Sequence, residues 1–163
     1  MRRDNVKTFL VILLAGATAA LTIVVRIPIP GTGGYLNFGD IAVVFCGLFL
    51  GEILGAVAGG VGSALADIIG GFFIFAPATL LAKGLEGFLA GVLGRTKYPI
   101  PLLLIAGVAM LSVYFLYELF LPGMGLGPAL SEAPFNVIQA VVGAFGGYGV
   151  YKAVIKALPK KEN

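Results

Sequence analysis

Nine polar or ionisable side chains lie within or between the apolar segments of this sequence and could together bind a small polar molecule. Three are carboxylates, one is an amine, two are phenols and three are amides: Tyr35, Asn37, Asp67, Lys83, Glu86, Tyr114, Glu118, Asn136 and Gln139. Ionisable groups are costly within apolar segments and usually face a partner or a cavity. Because neutral amides both donate and accept hydrogen bonds, the set is typical of recognition of a polar, uncharged heterocycle.

Each ionisable group also has a purely structural interpretation. Lys83 and Glu86 are three residues apart on one helix, so they neutralise each other as an ion pair, with or without a ligand. Glu118 either extends to the membrane interface or contacts the ligand, and Asp67 either satisfies the following loop or contacts the ligand. Asp40 begins a helix, where a carboxylate meets free backbone N–H groups, and we expect it to cap that helix.

The sequence lacks the residues on which common enzyme mechanisms depend. It has no histidine and one cysteine, Cys46, so neither a Ser-His nor a Cys-His pair can form. The segment from Gly60 to Ser63 matches a nucleotide-binding loop only partly, since it lacks the lysine. We therefore expect no enzyme activity, no cofactor and no metal site. The pattern favours a ligand-capturing subunit whose energy comes from partner proteins.

The composition indicates an integral membrane protein. Of the 163 residues, 59% are hydrophobic and 12% are charged, and the mean hydropathy is +1.02, whereas soluble domains carry about 25% charged residues. The net charge of +3 does not indicate nucleic-acid binding, because the basic residues lie at the ends of hydrophobic segments. The length suits one all-α domain, residues 1–163.

Six apolar segments separated by helix breakers predict a compact bundle of six transmembrane helices. They are Lys7 to Val25, Phe38 to Leu50, Ile53 to Ile69, Phe75 to Leu93, Ile100 to Leu121, and Pro134 to Leu158. Four are long enough for about 30 Å of hydrocarbon, which takes about 20 residues. The second and third are short or broken by glycine. They form either two thin crossings that meet near Gly51 and Glu52 or a re-entrant hairpin.

The basic residues predict the orientation of the bundle. Nine of the eleven lie at the start of the first segment, between the fourth and fifth, or toward the end of the chain: Arg2, Arg3, Lys7, Arg95, Lys97, Lys152, Lys156, Lys160 and Lys161. The positive-inside rule therefore places both termini in the cytoplasm. It places the connections at Ile27–Asp40, Asp67–Phe73 and Pro122–Glu132 outside, and the nine polar residues in the outer half of the bundle.

The connection from Ile27 to Asp40 is predicted to cover a pocket from outside. Its two prolines stop the first helix, and its glycines leave the middle of the connection conformationally free. Tyr35 and Asn37 follow the glycines and are expected to contact the ligand.

Small residues at helical spacing predict close packing between helices in the membrane. On the first helix they form a smooth face made of Ala15, Gly16, Ala19 and Ala20. That helix carries few polar side chains of its own, so we expect this face to dock another membrane subunit.

Three blocks of the sequence carry a family resemblance: Ile27 to Asp40, Gly62 to Gly71, and Ala76 to Gly87. They resemble the substrate-binding S components of energy-coupling-factor vitamin transporters, in the riboflavin-type branch, and the resemblance covers nearly the whole chain. It implies a multi-pass subunit of a prokaryotic cell membrane that binds a water-soluble vitamin or precursor from outside. The family name favours riboflavin. Pyridoxine-like compounds and hydroxymethylpyrimidine, the pyrimidine precursor of thiamine, are alternatives.

The resemblance also implies partners and motion. Such S components associate with a membrane coupling subunit, the T component, and with two cytoplasmic ATPases. Small residues of the first helix dock the coupling subunit, and Ala15 and Ala19 match that pattern. The connection after the first helix closes over the substrate, and the subunit topples in the membrane to release it, which favours six true crossings. The alternative function is a small solo transporter or channel for a polar heterocycle.

Overall fold

Helices account for nearly all of the computed structural model, which describes residues 3–158. The elements in chain order are α1 (Arg3–Val24), β1 (Arg26–Pro28), β2 (Tyr35–Asn37), α2 (Gly39–Leu50), α3 (Glu52–Ile69), α4 (Ala76–Leu93), α5 (Pro99–Phe120), α6 (Leu126–Val142) and α7 (Tyr148–Ala157). A π-helical turn, Gly143–Gly147, joins α6 to α7. Arg2, Lys160 and Lys161, which contributed to the predicted orientation, lie outside the described residues.

The prediction of an all-α bundle with six helical segments is confirmed. Five helices are long and apolar enough to cross a membrane, and α2 is the shorter sixth. The last of the five is continuous through α6, the π turn and α7, with 32 residues. Its predicted start at Pro134 was wrong, because the helix begins at Leu126 and contains Pro134 in its interior. Membrane helices tolerate interior proline, since neighbouring helices satisfy the freed backbone groups.

The short helix α2 is positioned by the hairpin before it and the turn after it. Strands β1 and β2 pair antiparallel, with Arg26 opposite Asn37. Helix α2 has 12 residues, about 18 Å at 1.5 Å per residue. It ends at Gly51, whose φ of 92° is a left-handed conformation that favours glycine. There Arg95 donates from Nη2 to the carbonyl of Leu48 over 3.3 Å.

The bundle therefore has two ends. The Arg95 end contains the Gly51 turn and the connection from α4 to α5. The hairpin end contains β1 and β2 and the connections from α3 to α4 and from α5 to α6. In the first connection Phe72 packs against Tyr35, and in the second Met124 lies beside Gly33. Helix α2 runs from the hairpin toward the Arg95 end, and α3 returns from there to the hairpin end.

Glycines set the distance between α2, α3 and α4. A methyl group added at Gly87 would lie 2.8 Å from the carbonyl oxygen of Gly55, and one at Gly47 would lie 2.8 Å from the Cβ of Ala90. Both distances are shorter than real contacts of this kind, so larger residues would push the helices apart. The predicted role of the small residues in packing within the chain is confirmed for these helices.

The π-helical turn lets the last span pack closely on the start of α2. A methyl group added at Gly143 would lie 2.7 Å from the Cβ of Asp40, and one at Gly147 would lie 2.7 Å from the Cβ of Val44. Single π-helical turns inside helices are frequent at functional sites. Here the turn supports the N-terminal end of α2, directly below the hairpin.

Candidate functional site

A cavity of about 30 Å³ lies at the hairpin end, between the β-hairpin and the ends of α3 to α6. Six of the nine predicted ligand-binding residues line it: Tyr35, Asn37, Asp67, Tyr114, Asn136 and Gln139. Four further residues complete the lining: Gly34, Phe75, Thr79 and Glu132. A volume of this size holds little more than water, so a vitamin-sized ligand does not fit the cavity as it stands.

The hairpin is held over the cavity by contacts centred on Tyr35. The Tyr35 hydroxyl donates a hydrogen bond to Oδ1 of Asp67. The Arg26 guanidinium lies 4.6 Å from the centre of the Tyr35 ring and 5.0 Å from that of Phe72, and its Nη2 donates to the Ala66 carbonyl over 3.1 Å. Burial, together with the Asp67 carboxylate, raises the pKa of Tyr35 well above its usual range. Tyr35 therefore remains a neutral hydrogen-bond donor at physiological pH.

A chain of three amides forms part of the cavity wall. Asn37 donates from Nδ2 to Oε1 of Gln139 over 2.8 Å, and Gln139 donates from Nε2 to Oδ1 of Asn136 over 3.0 Å. All three side chains are buried. Because each amide is oriented by its neighbour, the wall presents donors and acceptors in fixed directions.

The predicted cap of α2 by Asp40 is wrong. No side chain caps this helix at its N-cap position, and Asp40 instead pairs with Lys83 of α4. Both side chains are buried, and a buried charge is normally found paired with an opposite charge. The local N–H of Gly39 is satisfied by Asn37, whose Oδ1 accepts its hydrogen bond over 2.8 Å.

Lys83 and Glu86 do not line the cavity. Their charged atoms are 3.9 Å apart, close to the expected ion pair, but Asp40 is the nearer partner of Lys83. Lys83 Nζ also lies 5.6 Å from the centre of the Tyr114 ring, and Tyr114 lines the cavity. These three charged residues form a buried cluster behind it.

Glu118 and Glu132 lie together beside the cavity, and sequence reasoning identified only the first. Glu118 is fully buried and close enough to Glu132 to interact with it. The sequence predicts Glu132 in a connection, whereas the helix already begins at Leu126 and includes it. Its spacing from Asn136 and Gln139, four and seven residues, was the available signal, since such residues share a helix face. Thr79, which the sequence analysis also missed, precedes Lys83 and Glu86 by the same four and seven residues and shares their helix face.

The four small residues of α1 do not share one environment. Gly16 and Ala20 are exposed, whereas Ala19 is buried in the bundle. Ala15 is half-buried, and its carbonyl lies against Gly62 of α3.

Comparison with known proteins places this architecture in a family. The family model described as "ECF-type riboflavin transporter, S component" matches residues 5–156. The chain belongs to this family of S components. It is 41% identical over 140 residues to a Pyrococcus woesei protein described as "Uncharacterized protein in gap 3'region", covering 82% of this chain and 91% of that protein. It is 29% identical over 144 residues to the "Thiamine precursor transporter HmpT" of Lactococcus lactis subsp. cremoris, covering 86% and 84%.

A solved structure supports the same fold. The structure titled "Structure and mechanism of the S component of a bacterial ECF transporter" superposes with a TM-score of 0.76, covering 94% of this chain and 98% of that one at 21% identity. As an S component, the chain is a multi-pass prokaryotic membrane protein and a non-enzymatic, substrate-binding subunit of a vitamin transporter. Proteins of this kind work with a T component and ATPases.

Proposed function

We propose that this S component captures a small, amine-bearing heterocycle of the thiamine-precursor type, such as hydroxymethylpyrimidine. The observation that carries the proposal is the chemistry of the cavity wall. Asp67 and Glu132 supply carboxylates, Asn37, Asn136 and Gln139 supply amides, and none of the described lining residues is a lysine or an arginine. A wall rich in acceptors suits a ligand rich in N–H and O–H donors.

The proposed substrate-binding residues fall into three groups by role. The rings of Tyr35 and Tyr114 stack on or flank the heterocycle, as aromatic side chains do in ligand sites. Asn37, Asn136 and Gln139 bind its polar edge, and Asp67 and Glu132 accept its donors. Lys83 and Glu86 act from behind the wall, by setting its charge, and Glu118 acts together with Glu132.

Riboflavin, the first expectation from the family resemblance, is the competing substrate. Its tricyclic ring and ribityl chain need far more room than a single pyrimidine ring, so its binding would require a larger rearrangement of the cavity of about 30 Å³. The similarity to a thiamine-precursor transporter also supports the smaller ligand. Pyridoxine is similar in size to hydroxymethylpyrimidine but carries no amino group on its ring.

The proposal includes an orientation and partners. The hairpin end faces outside and the Arg95 end faces the cytoplasm, as the positive-inside rule predicts. The single transmembrane domain docks a T component through the exposed small residues of α1, and two ATPases supply the energy for release.

Calorimetric titration of the purified chain with hydroxymethylpyrimidine, pyridoxine and riboflavin tests the substrate. We expect the tightest binding for the pyrimidine. Native mass spectrometry of the fresh preparation would reveal a co-purified ligand, and a yellow preparation that retains flavin would contradict the proposal.

A pair of variants on α6 tests the site. Asn136→Leu should weaken pyrimidine binding by about 10-fold or more, since it leaves Gln139 without its acceptor. Ser131→Leu makes the same kind of change on the exposed side of the helix and should leave affinity unchanged. Equal affinities for the two variants would exclude this cavity as the binding site. Uptake by liposomes that contain this chain alone would instead favour a solo transporter.

A further inference from the structure

Glu118 and Glu132 form a carboxyl pair without a counter-ion among the described residues. Glu118 lies near the end of α5 and is fully buried, and Glu132, in the second turn of α6, is 5% exposed. Neither oxygen of Glu118 has a hydrogen-bond partner in the described part of the chain, and neither does Oε1 of Glu132. Buried polar groups are usually satisfied. Three free acceptor oxygens at one place therefore indicate a missing donor.

The neighbouring cations are committed elsewhere. Lys83 pairs with Asp40 and lies near Glu86. Arg26 binds the carbonyl of Ala66 and lies over the ring of Tyr35. Two adjacent carboxylates without a cation cannot both ionise at low cost, so one proton shared between them is the low-cost arrangement. The pair then offers one hydrogen-bond donor and several acceptors.

Glu132, one member of the pair, lies against both the cavity and the hairpin that covers it. Glu132 lines the cavity, as does Tyr114, one helical turn before Glu118. The hairpin reaches the Glu132 carboxylate at Gly34, where an added methyl group would overlap it. The Gly34 N–H is already used, because it donates to Oγ1 of Thr32 over 3.1 Å. The hairpin thus closes on the carboxylate without satisfying it.

We infer that the Glu118–Glu132 pair is the specificity determinant of the site and recognises an exocyclic amine beside a ring nitrogen. The carboxylate accepts a hydrogen bond from the amine, and the shared proton is donated to the ring nitrogen. This arrangement matches an aminopyrimidine edge and not pyridoxine, which lacks the amine. The inference rests on the proposed function, since it assumes that the cavity binds the vitamin precursor.

Titration with a matched pair of ligands tests the inference without altering the protein. The probes are hydroxymethylpyrimidine and its analogue with hydrogen in place of the exocyclic amine. The wild-type chain should prefer the amine by about 100-fold or more, because the analogue leaves the buried carboxylate unsatisfied. A preference near unity would overturn the inference while leaving the proposed function intact. Failure to bind either pyrimidine would overturn both.

Isosteric variants then assign the preference to the pair. Glu132→Gln and, separately, Glu118→Gln should reduce the preference for the amine to about 10-fold or less, since the single proton can no longer be shared. Glu52→Gln, at an exposed position on the Arg95 end, is the matched control and should keep the wild-type ratio. If both site variants bind with the wild-type ratio, the pair does not set specificity. A variant that fails to fold is replaced in the comparison by the other.

Discussion

At the scale of single residues, Lys83 is a buried cation that lies between two buried carboxyl groups. It is 2% exposed, and its partners Asp40 and Glu86 are fully buried. Oδ2 of Asp40 and both carboxylate oxygens of Glu86 have no hydrogen-bond partner in the described residues. One ammonium group therefore compensates two carboxyl groups, and the second of them needs a proton to be neutral. The cluster ties α2 to α4 directly behind the cavity.

Removing the lysine should destabilise the protein strongly. We expect Lys83→Met to lower the free energy of unfolding by about 3–5 kcal/mol, because it leaves buried carboxylates without a cation. Thermal unfolding in detergent measures this as a lower midpoint. Adding Asp40→Asn to Lys83→Met should recover part of the loss. Lys152→Met, which changes an exposed lysine, is the control, and equal midpoints for Lys83→Met and Lys152→Met would contradict the prediction.

At the scale of elements, α1 has two sides with different roles. Thr18 and Ala19 are buried against the bundle, and the Thr18 hydroxyl lies 3.7 Å from the sulfur of Cys46 on α2. On the other side Gly16 and Ala20 are exposed, and nothing lies within 4 Å of a methyl group added at Gly16. The proposed docking surface is therefore best tested at Gly16 and Ala20, where a change does not disturb the packing of the chain.

Bulk added to that surface should block assembly and leave ligand binding unchanged. We expect the double variant Gly16→Leu and Ala20→Leu to retain ligand affinity but to lose at least about 10-fold in affinity for the T component, because close helix approach needs small residues. Co-purification with the coupling module and titration of the isolated chain measure the two effects.

An exposed position elsewhere supplies the control for α1. Ala153→Leu on α7 adds the same kind of side chain and should leave both measurements unchanged. Normal assembly of the double variant would show that α1 docks through another surface. Loss of ligand binding would show that α1 supports the cavity.

At the scale of the whole molecule, the Arg95 end and the hairpin end differ in charge and in the elements that close them. The Arg95 end carries the basic residues of the α4–α5 connection and of α7, and its connections are short. The hairpin end carries the cavity and Arg26. Since lysine and arginine are retained on the cytoplasmic side, this asymmetry predicts that ligand enters from outside and that the T component and the ATPases act from the other end.

Cysteine labelling in intact cells tests the orientation. Cys46 is buried, so Cys46→Ala provides the background. In it, Pro30→Cys in the hairpin should react with a membrane-impermeant maleimide in intact cells, whereas Thr96→Cys beside Arg95 should react only after lysis. Both positions are exposed. The reverse pattern would place the cavity on the cytoplasmic side and contradict the proposed direction of transport.

The sequence alone determined the class of protein, the number of helices and most of the cavity wall. Hydropathy and helix breakers are local properties, so they were sufficient to locate α1 to α5 within a few residues. Asp67, Tyr114, Asn136 and Gln139 were predicted because polar groups in apolar segments are costly and stand out. Tyr35 and Asn37 were predicted because they follow the glycines of the connection after α1. The family was recognised because its three sequence blocks are themselves local.

Only the tertiary structure decided which polar groups face one another. The partner of Lys83 is Asp40, which is 43 residues away in sequence, and no helical spacing predicts a contact between α2 and α4. The start of α6 was predicted too late because proline usually marks a helix boundary. Glu132, which precedes Pro134, was therefore not predicted to lie on the helix. Pairing across helices depends on how glycine contacts set their separation and rotation. Separation and rotation of the helices are properties of the packed bundle. They determine which charged groups are paired within the protein and which remain without a partner.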